Sequence, residues 1–282
     1  MPAKIIDGNK IAKSIIESIK NKVKSMKEKP GLALVMVGNN PASEVYVHFN
    51  EKDSKEAGFY CERHNLEEKT GEMDLLKLVS KANNNPKIHG ILVQLPLPRH
   101  IDEKLITDSI LPHKDVDGFT ALNLGNLLSE KTILAPATAR AVINLIGSTG
   151  TKIEGKNAVV VGRSNIVGKP VAMMLLEKNA TVTICHSKTK NLADYTKKAD
   201  ILIVAVGKPN LIKKEMVKEG AVVIDVGINR VNGKLIGDVD FENVKEIAGF
   251  ITPVPGGVGP MTRAMLMENT LKAMELSKKI LQ

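Results

Sequence analysis

Tryptophan is absent from this 282-residue chain, and aromatic residues make up only 3% of it. Single-stranded nucleic acids are commonly gripped by aromatic side chains on which bases stack, so this composition argues against that partner. The formal charge is +9, but the lysines are spread along the chain, many on helical stretches such as "KSIIESIKNKVKSMKEK". Such a field attracts small anions without marking a nucleic-acid patch. Cysteine is scarce: Cys61 and Cys185 lie far apart, without the spacing of metal ligands, which excludes a disulfide framework and a zinc site. Long apolar runs are missing too. Stretches such as "ILIVAV" (201–206) fall far short of the ~20 residues of a membrane span, and "MPAKIIDGNK" has no apolar signal core. The expectation is a cytoplasmic protein with no nucleic-acid, membrane or metal partner.

The chain has ample core-forming material, at 43% hydrophobic and 25% charged residues, and its length suits two α/β domains. A short apolar run followed by an amphipathic helix recurs along it. Ile11, Ile15, Ile19, Val23 and Met26 fall at helical spacing over 9–28, and "KPG" stops them. "LALVMVG" (32–38) reads as a fully buried strand. Asn40 then caps, and Pro41 opens, a helix running to Gly58. A polar helix follows near 71–84, and "GILVQL" (90–95), "NAVVVG" (157–162), "TVTICH" (181–186), "ILIVAVG" (201–207) and "AVVIDVG" (221–227) read as further buried strands. Continuous apolar strands alternating with helices predict an α/β fold with parallel sheets covered on both faces. The expected division is a catalytic domain over 1–119 and a Rossmann-type dinucleotide-binding domain over 120–259, with a final helix, 260–282, packing back on the first.

"VVVGRSNIVGKPVAMMLL" sets a turn directly between a strand and a helix. Gly162 and Gly168 bracket Arg163, Ser164 and Asn165, so the spacing departs from G-x-G-x-x-G and lacks its middle glycine. Ser164 is small enough to let backbone approach a pyrophosphate, and the helix N-terminus supplies oriented N–H groups. At the next strand tip, where an NAD site carries an acid for the ribose hydroxyl, the chain reads Cys185-His186-Ser187. An acid there repels a 2′-phosphate, whereas Arg163 and Ser187 suit one. The cofactor read from these residues is NADP.

Ligands of α/β sheets bind beyond the carboxyl ends of strands. Three unusual segments fall at such ends: "VQLPLP" (93–98), "HKDVDGF" (113–119) and "TPVPGGVGPMT" (252–262). They bring the amide Gln94, the carboxylates Asp115 and Asp117, and a rigid loop poor in side chains. Each taken alone also fits ordinary turn chemistry; together with the dinucleotide turn they point to a reaction site. Tyr46 lies early on the helix after Pro41, with Asn50 one turn later, about 40° round the same face. Lys52 and His48 point elsewhere.

These residues, with "GILVQLPLP", "KDVDGF", "GRSNIVGKP", "TVTICHS", "AVVIDVGIN" and "ITPVPGGVGPMT", resemble the bifunctional methylenetetrahydrofolate dehydrogenase/cyclohydrolase family along the whole chain. The resemblance implies NADP-linked oxidation of 5,10-methylenetetrahydrofolate, then hydrolysis of the 5,10-methenyl form to 10-formyltetrahydrofolate, in a homodimer serving one-carbon metabolism and purine biosynthesis. It implies that Tyr46 stacks on the folate, Gln94 stands beside the reacting carbon, and Asp117 grips the pterin. Pro255, Gly256 and Gly257 match the loop over the folate. Gly162, Arg163, Ser164, Ser187, the backbone at Ile228 and Thr138 match the NADP site. Two departures stand out. Pro136-Ala137-Thr138-Ala139 replaces P-C-T-P, and Asn50 occupies the position of a lysine.

The two reactions differ in their needs. Hydride transfer demands placement, since the folate nitrogen lone pair expels the hydride. Hydrolysis demands a group that trades protons, which contributes 10²–10⁴-fold in typical enzymes, and neither Asn50 nor Gln94 titrates near neutral pH. The expectation is a dehydrogenase with weak or absent cyclohydrolase activity. The rivals are a fully bifunctional enzyme with another proton carrier, a non-catalytic NADP/folate-binding module, and a dehydrogenase of the shikimate type.

Overall fold

The computed structural model describes residues 2–280. Its strands are β1 (Lys4–Ile5), β2 (Gly31–Val37), β3 (Tyr60–Leu66), β4 (Gly90–Val93), β5 (Asn157–Val161), β6 (Thr181–Cys185), β7 (Ile201–Val204), β8 (Val222–Asp225), β9 (Asn229–Val231), β10 (Lys234–Ile236) and β11 (Phe250–Ile251). The α-helices are α1 (Gly8–Lys24), α2 (Pro41–Glu56), α3 (Glu72–Asn84), α4 (Glu103–Asp108), α5 (Ala121–Leu128), α6 (Ala137–Ser148), α7 (Gly168–Glu177), α8 (Leu192–Thr196), α9 (Phe241–Val244) and α10 (Val258–Ile280). The chain divides into two compact units, Lys13–Ala137 with Arg263–Gln282, and Met1–Ala12 with Thr138–Thr262.

The first unit is built on a three-stranded parallel sheet in the order β3-β2-β4. Every residue of β2 is buried, as a central strand covered on both faces requires. Ala33, Val35, Leu75, Val79, Ile88, Ile91, Val93 and Ile106 pack as one core. The strand β3, YCERHNL, is largely polar and pairs with β2 along all seven residues from Gly31↔Tyr60 to Val37↔Leu66. Its polar side chains fit an edge, where one side of the ladder faces outward. Asn40 caps α2 as its side chain predicts, accepting from the N–H groups of Ala42 (2.9 Å) and Ser43 (3.2 Å).

The second unit carries a six-stranded parallel sheet, β1-β11-β8-β7-β5-β6. Val159, Val161, Leu202, Val204, Val223, Ile212 and Ile251 form its core. A two-stranded antiparallel pair, β9 with β10, follows β8.

The division differs from the expected cuts at 119 and 259. The first twelve residues fall with the second unit because β1 pairs with β11 in parallel, Lys4↔Phe250 and Ile5↔Ile251. Residues 120–137 fall with the first unit, where Thr120 and Asn123 are tied by hydrogen bonds to the Asp115 carboxylate. In α10, Asn269 donates to the carbonyls of Val116 (2.8 Å) and Ala135 (2.9 Å), both in the first unit. The last two positions of the expected helix, 281 and 282, lie outside the described residues. No helix among the described residues is long and apolar enough to cross a membrane.

Candidate functional site

In the first unit, α2 carries Tyr46 and Asn50 on one face. Asn50 is fully buried, and neither its Nδ2 nor its Oδ1 has a hydrogen-bond partner. Ser54, the next residue along that face, is also fully buried with an unpartnered hydroxyl. Stranding buried polar atoms costs about 1–3 kcal/mol per group, so this face of α2 is not optimised for folding alone. Lys52 and His48 are both exposed.

Tyr46 is partly exposed, and its phenol is held well above its ordinary range. Loss of hydration is the main cause, reinforced by the negative charges of Asp117 and Asp53 and opposed by Arg263. Arg263, from α10, pairs with Asp53 at 2.6 Å and lies 4.9 Å above the ring of Phe49.

Asp117 is half-buried in the loop between α4 and α5, and its carboxyl is pushed up to about 7. Burial is the principal cause, and the neighbouring charge of Asp115 adds to it. Tyr46 and Asp117 therefore share one environment, as the charge of Asp117 bears on the phenol. Gln94 stands at the tip of β4, its backbone N–H bound to Val35 O (2.8 Å) and its Nε2 donating to Leu95 O (2.7 Å).

In the second unit, the turn after β5 fits a dinucleotide. Gly162 has φ of +135°, and a Cβ there would lie 2.3 Å from Ala205 O, so only glycine permits the approach. The Ser164 hydroxyl accepts from the N–H groups of Val167 (3.1 Å) and Gly168 (3.3 Å) at the start of α7. Arg163, Ser164 and Asn165 are exposed, and Arg163 forms no ion pair with any described residue. At the β6 tip, Ser187 is exposed and His186 is bound into its own turn, its N–H to Thr189 Oγ1 (2.9 Å) and its Nδ1 to the Lys188 N–H (3.1 Å). Ile228 is exposed beyond β8, and Thr138 lies partly buried in the first turn of α6. An unpaired guanidinium and a hydroxyl, with no acid at the tip of β6, match the chemistry of a 2′-phosphate.

Pro255, Gly256 and Gly257 precede α10, and the Asn9 N–H donates to Gly256 O (3.2 Å). No group of three or more His, Cys, Asp or Glu that could hold a metal occurs among the described residues.

Two buried carboxylates of the second unit, Asp225 and Asp238, are not singled out by the sequence reading, although Asp225 lies within "AVVIDVGIN". Asp238 accepts from the N–H groups of Val206 (2.7 Å), Gly207 (2.9 Å) and Lys208 (2.7 Å), and from Asn229 Nδ2 (2.9 Å). Asp225 accepts from the N–H groups of Gly227, Asp238 and Val239. Burial raises its carboxyl to about 7 against the pull of those donors. Together they fix the segments leaving β7 and β8. An acid inside an otherwise apolar strand end, as in "VVID", is the one available cue.

Known proteins match this chain throughout. Residues 6–117 match the model of the tetrahydrofolate dehydrogenase/cyclohydrolase catalytic domain, and residues 136–278 that of the tetrahydrofolate dehydrogenase/cyclohydrolase NAD(P)-binding domain. The bifunctional protein FolD of Moorella thermoacetica is 57% identical over 277 residues, covering 97% of this chain and 99% of that protein. Among solved structures, the bifunctional FolD methylenetetrahydrofolate dehydrogenase/cyclohydrolase of Campylobacter jejuni superposes with a TM-score of 0.94 at 47% identity, covering 98% of this chain and 99% of that one. The Trypanosoma brucei N5,N10-methylenetetrahydrofolate dehydrogenase-cyclohydrolase, solved with NADP cofactor and an inhibitor, gives 0.95 at 37% identity, covering 99% of both.

Proposed function

The chain belongs to the tetrahydrofolate dehydrogenase/cyclohydrolase family, and from that membership we propose that it oxidises 5,10-methylenetetrahydrofolate to the 5,10-methenyl form with NADP while hydrolysing the product weakly or not at all. NADP, when bound, accepts the hydride. The residues contribute placement and charge. Tyr46 offers its ring to the folate, and its phenol stays neutral because burial and two carboxylates suppress ionisation. Asp117 accepts from the paired donors of the pterin edge, a match that a carboxylate makes with two oxygens. Gln94 stands for the amide beside the reacting carbon. Pro255, Gly256 and Gly257 complete the folate contacts, while Gly162, Arg163, Ser164, Ser187, Thr138 and the Ile228 backbone hold the dinucleotide, with Arg163 and Ser187 on the 2′-phosphate.

The observation that carries the split between the two activities is the buried amide of Asn50 beside Tyr46. An amide neither takes nor gives a proton near neutral pH, and ring opening requires both. Arg263 is no substitute, because a guanidinium does not deprotonate in proteins and this one is engaged with Asp53.

One observation favours a fully bifunctional reading: Asp117 titrates near neutrality. Contact with pterin donors stabilises the ionised carboxylate, however, and so withdraws it from proton transfer during the reaction. Separate assays of methylene oxidation and methenyl hydrolysis test the proposal. Oxidation with NADP, and hydrolysis no faster than about tenfold over the uncatalysed reaction, are the expected results; rapid hydrolysis by the unmodified protein overturns it.

The same reading gives a homodimer in one-carbon metabolism feeding purine synthesis in the cytoplasm, without nucleic-acid or membrane partners. Its support is the family resemblance, the low aromatic content and the dispersed lysines.

A further inference from the structure

Residues 114–118 are each tied down by hydrogen bonds, and the Asp117 carboxylate is left out of them. Lys114, buried, directs its Nζ at the carbonyls of Asn83 (2.7 Å), Asn85 (3.0 Å) and Ala82 (3.3 Å), at the C-terminal end of α3. Its own carbonyl accepts from Ile91 N–H (2.8 Å) on β4. The Val116 carbonyl accepts from Asn269 on α10 (2.8 Å). Gly118 turns the chain with φ of +74°, where a Cβ would lie 2.6 Å from Pro136 N.

At the centre lies Asp115, only 1% exposed. Its Oδ1 accepts from Gly118 N–H (2.9 Å), and its Oδ2 from Thr120 N–H (2.8 Å) and Asn123 Nδ2 (2.9 Å). Three donors converging on one buried carboxylate fold the loop back on itself, and Asp117 sits half-buried at the turn. No hydrogen bond within the described residues holds the Asp117 carboxylate. The polar work of the loop is divided: one acid spends its oxygens on the backbone, the other keeps them for a ligand.

We propose that Asp115 is the positioning residue of the folate site, holding the loop so that the Asp117 carboxylate meets the pterin edge. This rests on the assignment of Asp117 to the pterin. The Asp115 carboxylate does more than brace, because its charge bears directly on Asp117. The phenol of Tyr46 on α2, which is neutral, lies within reach of the Asp117 charge, and the same phenol feels the Arg263–Asp53 pair, whose charges offset one another.

The two roles separate in a pH profile. Asp117 binds pterin donors as a carboxylate, so affinity is full above its pKa and falls as the pH drops through it. Removing the like charge of Asp115 lowers that pKa, and the loss moves to lower pH. A brace without electrostatic influence lowers affinity at every pH and leaves the midpoint alone.

Affinity for tetrahydrofolate, measured by calorimetry under argon from about pH 5.5 to 8.5, decides the matter for the unmodified protein, Asp115→Asn, Asn123→Ala and Asp117→Asn. NADP affinity and a cooperative thermal transition report the integrity of each variant. The unmodified protein is expected to lose affinity with a midpoint near pH 7, matching Asp117. Asp115→Asn is expected to bind at least about fivefold more weakly at high pH, with its midpoint about one pH unit lower. Unchanged affinity at high pH overturns the proposal, whereas weaker binding with an unmoved midpoint supports positioning through the hydrogen bonds alone. Should Asp115→Asn fail to fold, Asn123→Ala decides: it removes one of three donors, and about threefold weaker tetrahydrofolate binding is expected, while unchanged binding overturns the proposal. If Asp117→Asn binds tetrahydrofolate normally, the assignment of Asp117 to the pterin is itself wrong, and that result is distinct from a failure confined to Asp115.

Discussion

Arg263 Nε donates to Asp53 Oδ2 across 2.6 Å, and the same guanidinium lies over the ring of Phe49. Both partners influence Tyr46, so the one cation known to act on this tyrosine is already matched by a carboxylate. On the proposed reading Asn50 stands on the neighbouring turn of α2 in place of a proton-trading lysine, and nothing in the pairing supplies that chemistry.

Restoring the lysine tests that account. Asn50→Lys is expected to raise methenyl hydrolysis by about 10²-fold or more while changing NADP-linked oxidation by less than about threefold. Spectrophotometric assay of the two reactions separately is the check. Equal losses in both would instead mean that the buried position rejects an ammonium group.

Asn50 also bears on stability. Exchanging its unpartnered amide for an apolar side chain of similar volume removes a desolvation penalty, so Asn50→Leu is expected to stabilise the protein by about 1–2 kcal/mol. Thermal denaturation should show a rise of roughly 2–6 °C. No rise would mean that water already satisfies the amide.

Oxidation should depend on pH through Asp117, whose carboxyl is raised to about 7. The ionised form engages the pterin, so kcat/KM for the methylene folate is expected to be full above pH 7 and to fall about tenfold per unit below it. In Asp117→Asn the dependence should vanish along with most of the activity. A profile that stays flat in the unmodified protein removes Asp117 from substrate binding.

Arg163 sets the nucleotide preference in this reading. Arg163→Ala should weaken NADP binding by about 10- to 100-fold, the worth of a charge-assisted hydrogen-bond pair, with NAD binding changed little. Titration with both nucleotides gives the ratio, and equal losses would place the guanidinium elsewhere than on the 2′-phosphate.

Asp238 is expected to be structural in the plain sense. Asp238→Ala strands three backbone N–H groups and the Asn229 amide, at a cost of about 3 kcal/mol or more. Urea denaturation monitored in the second unit should register it as a lower midpoint.

Much of this molecule is readable from its residues because it is driven by burial. The runs in β2, β4 and β7 are apolar throughout, and β5 and β8 break the pattern only at one end, with Asn157 and Asp225, as suits strands covered on both faces. Strand β3 escapes such reading: YCERHNL carries charge and amides, and it becomes a strand because β2 offers it a ladder. The two-residue strands β1 and β11 are too short for any periodicity, and their pairing moved a dozen residues between units. At the site, the motifs single out Tyr46, Gln94, Asp117 and Arg163 as candidates. The isolation of the Asn50 amide was not legible in them, nor were the three donors on Asp115, because both depend on neighbours brought in by folding.

The pairing of β1 with β11, and the assignment of Arg263–Gln282 to the unit that begins at Lys13, constrain how the protein can be made. Emerging from a ribosome in order, the opening dozen residues wait for a mate some 240 positions later. The 13–137 segment, too, waits for a closing segment that follows the whole 138–262 stretch. Each half is interrupted by a segment of the other, so no single cut in the gene releases either one whole.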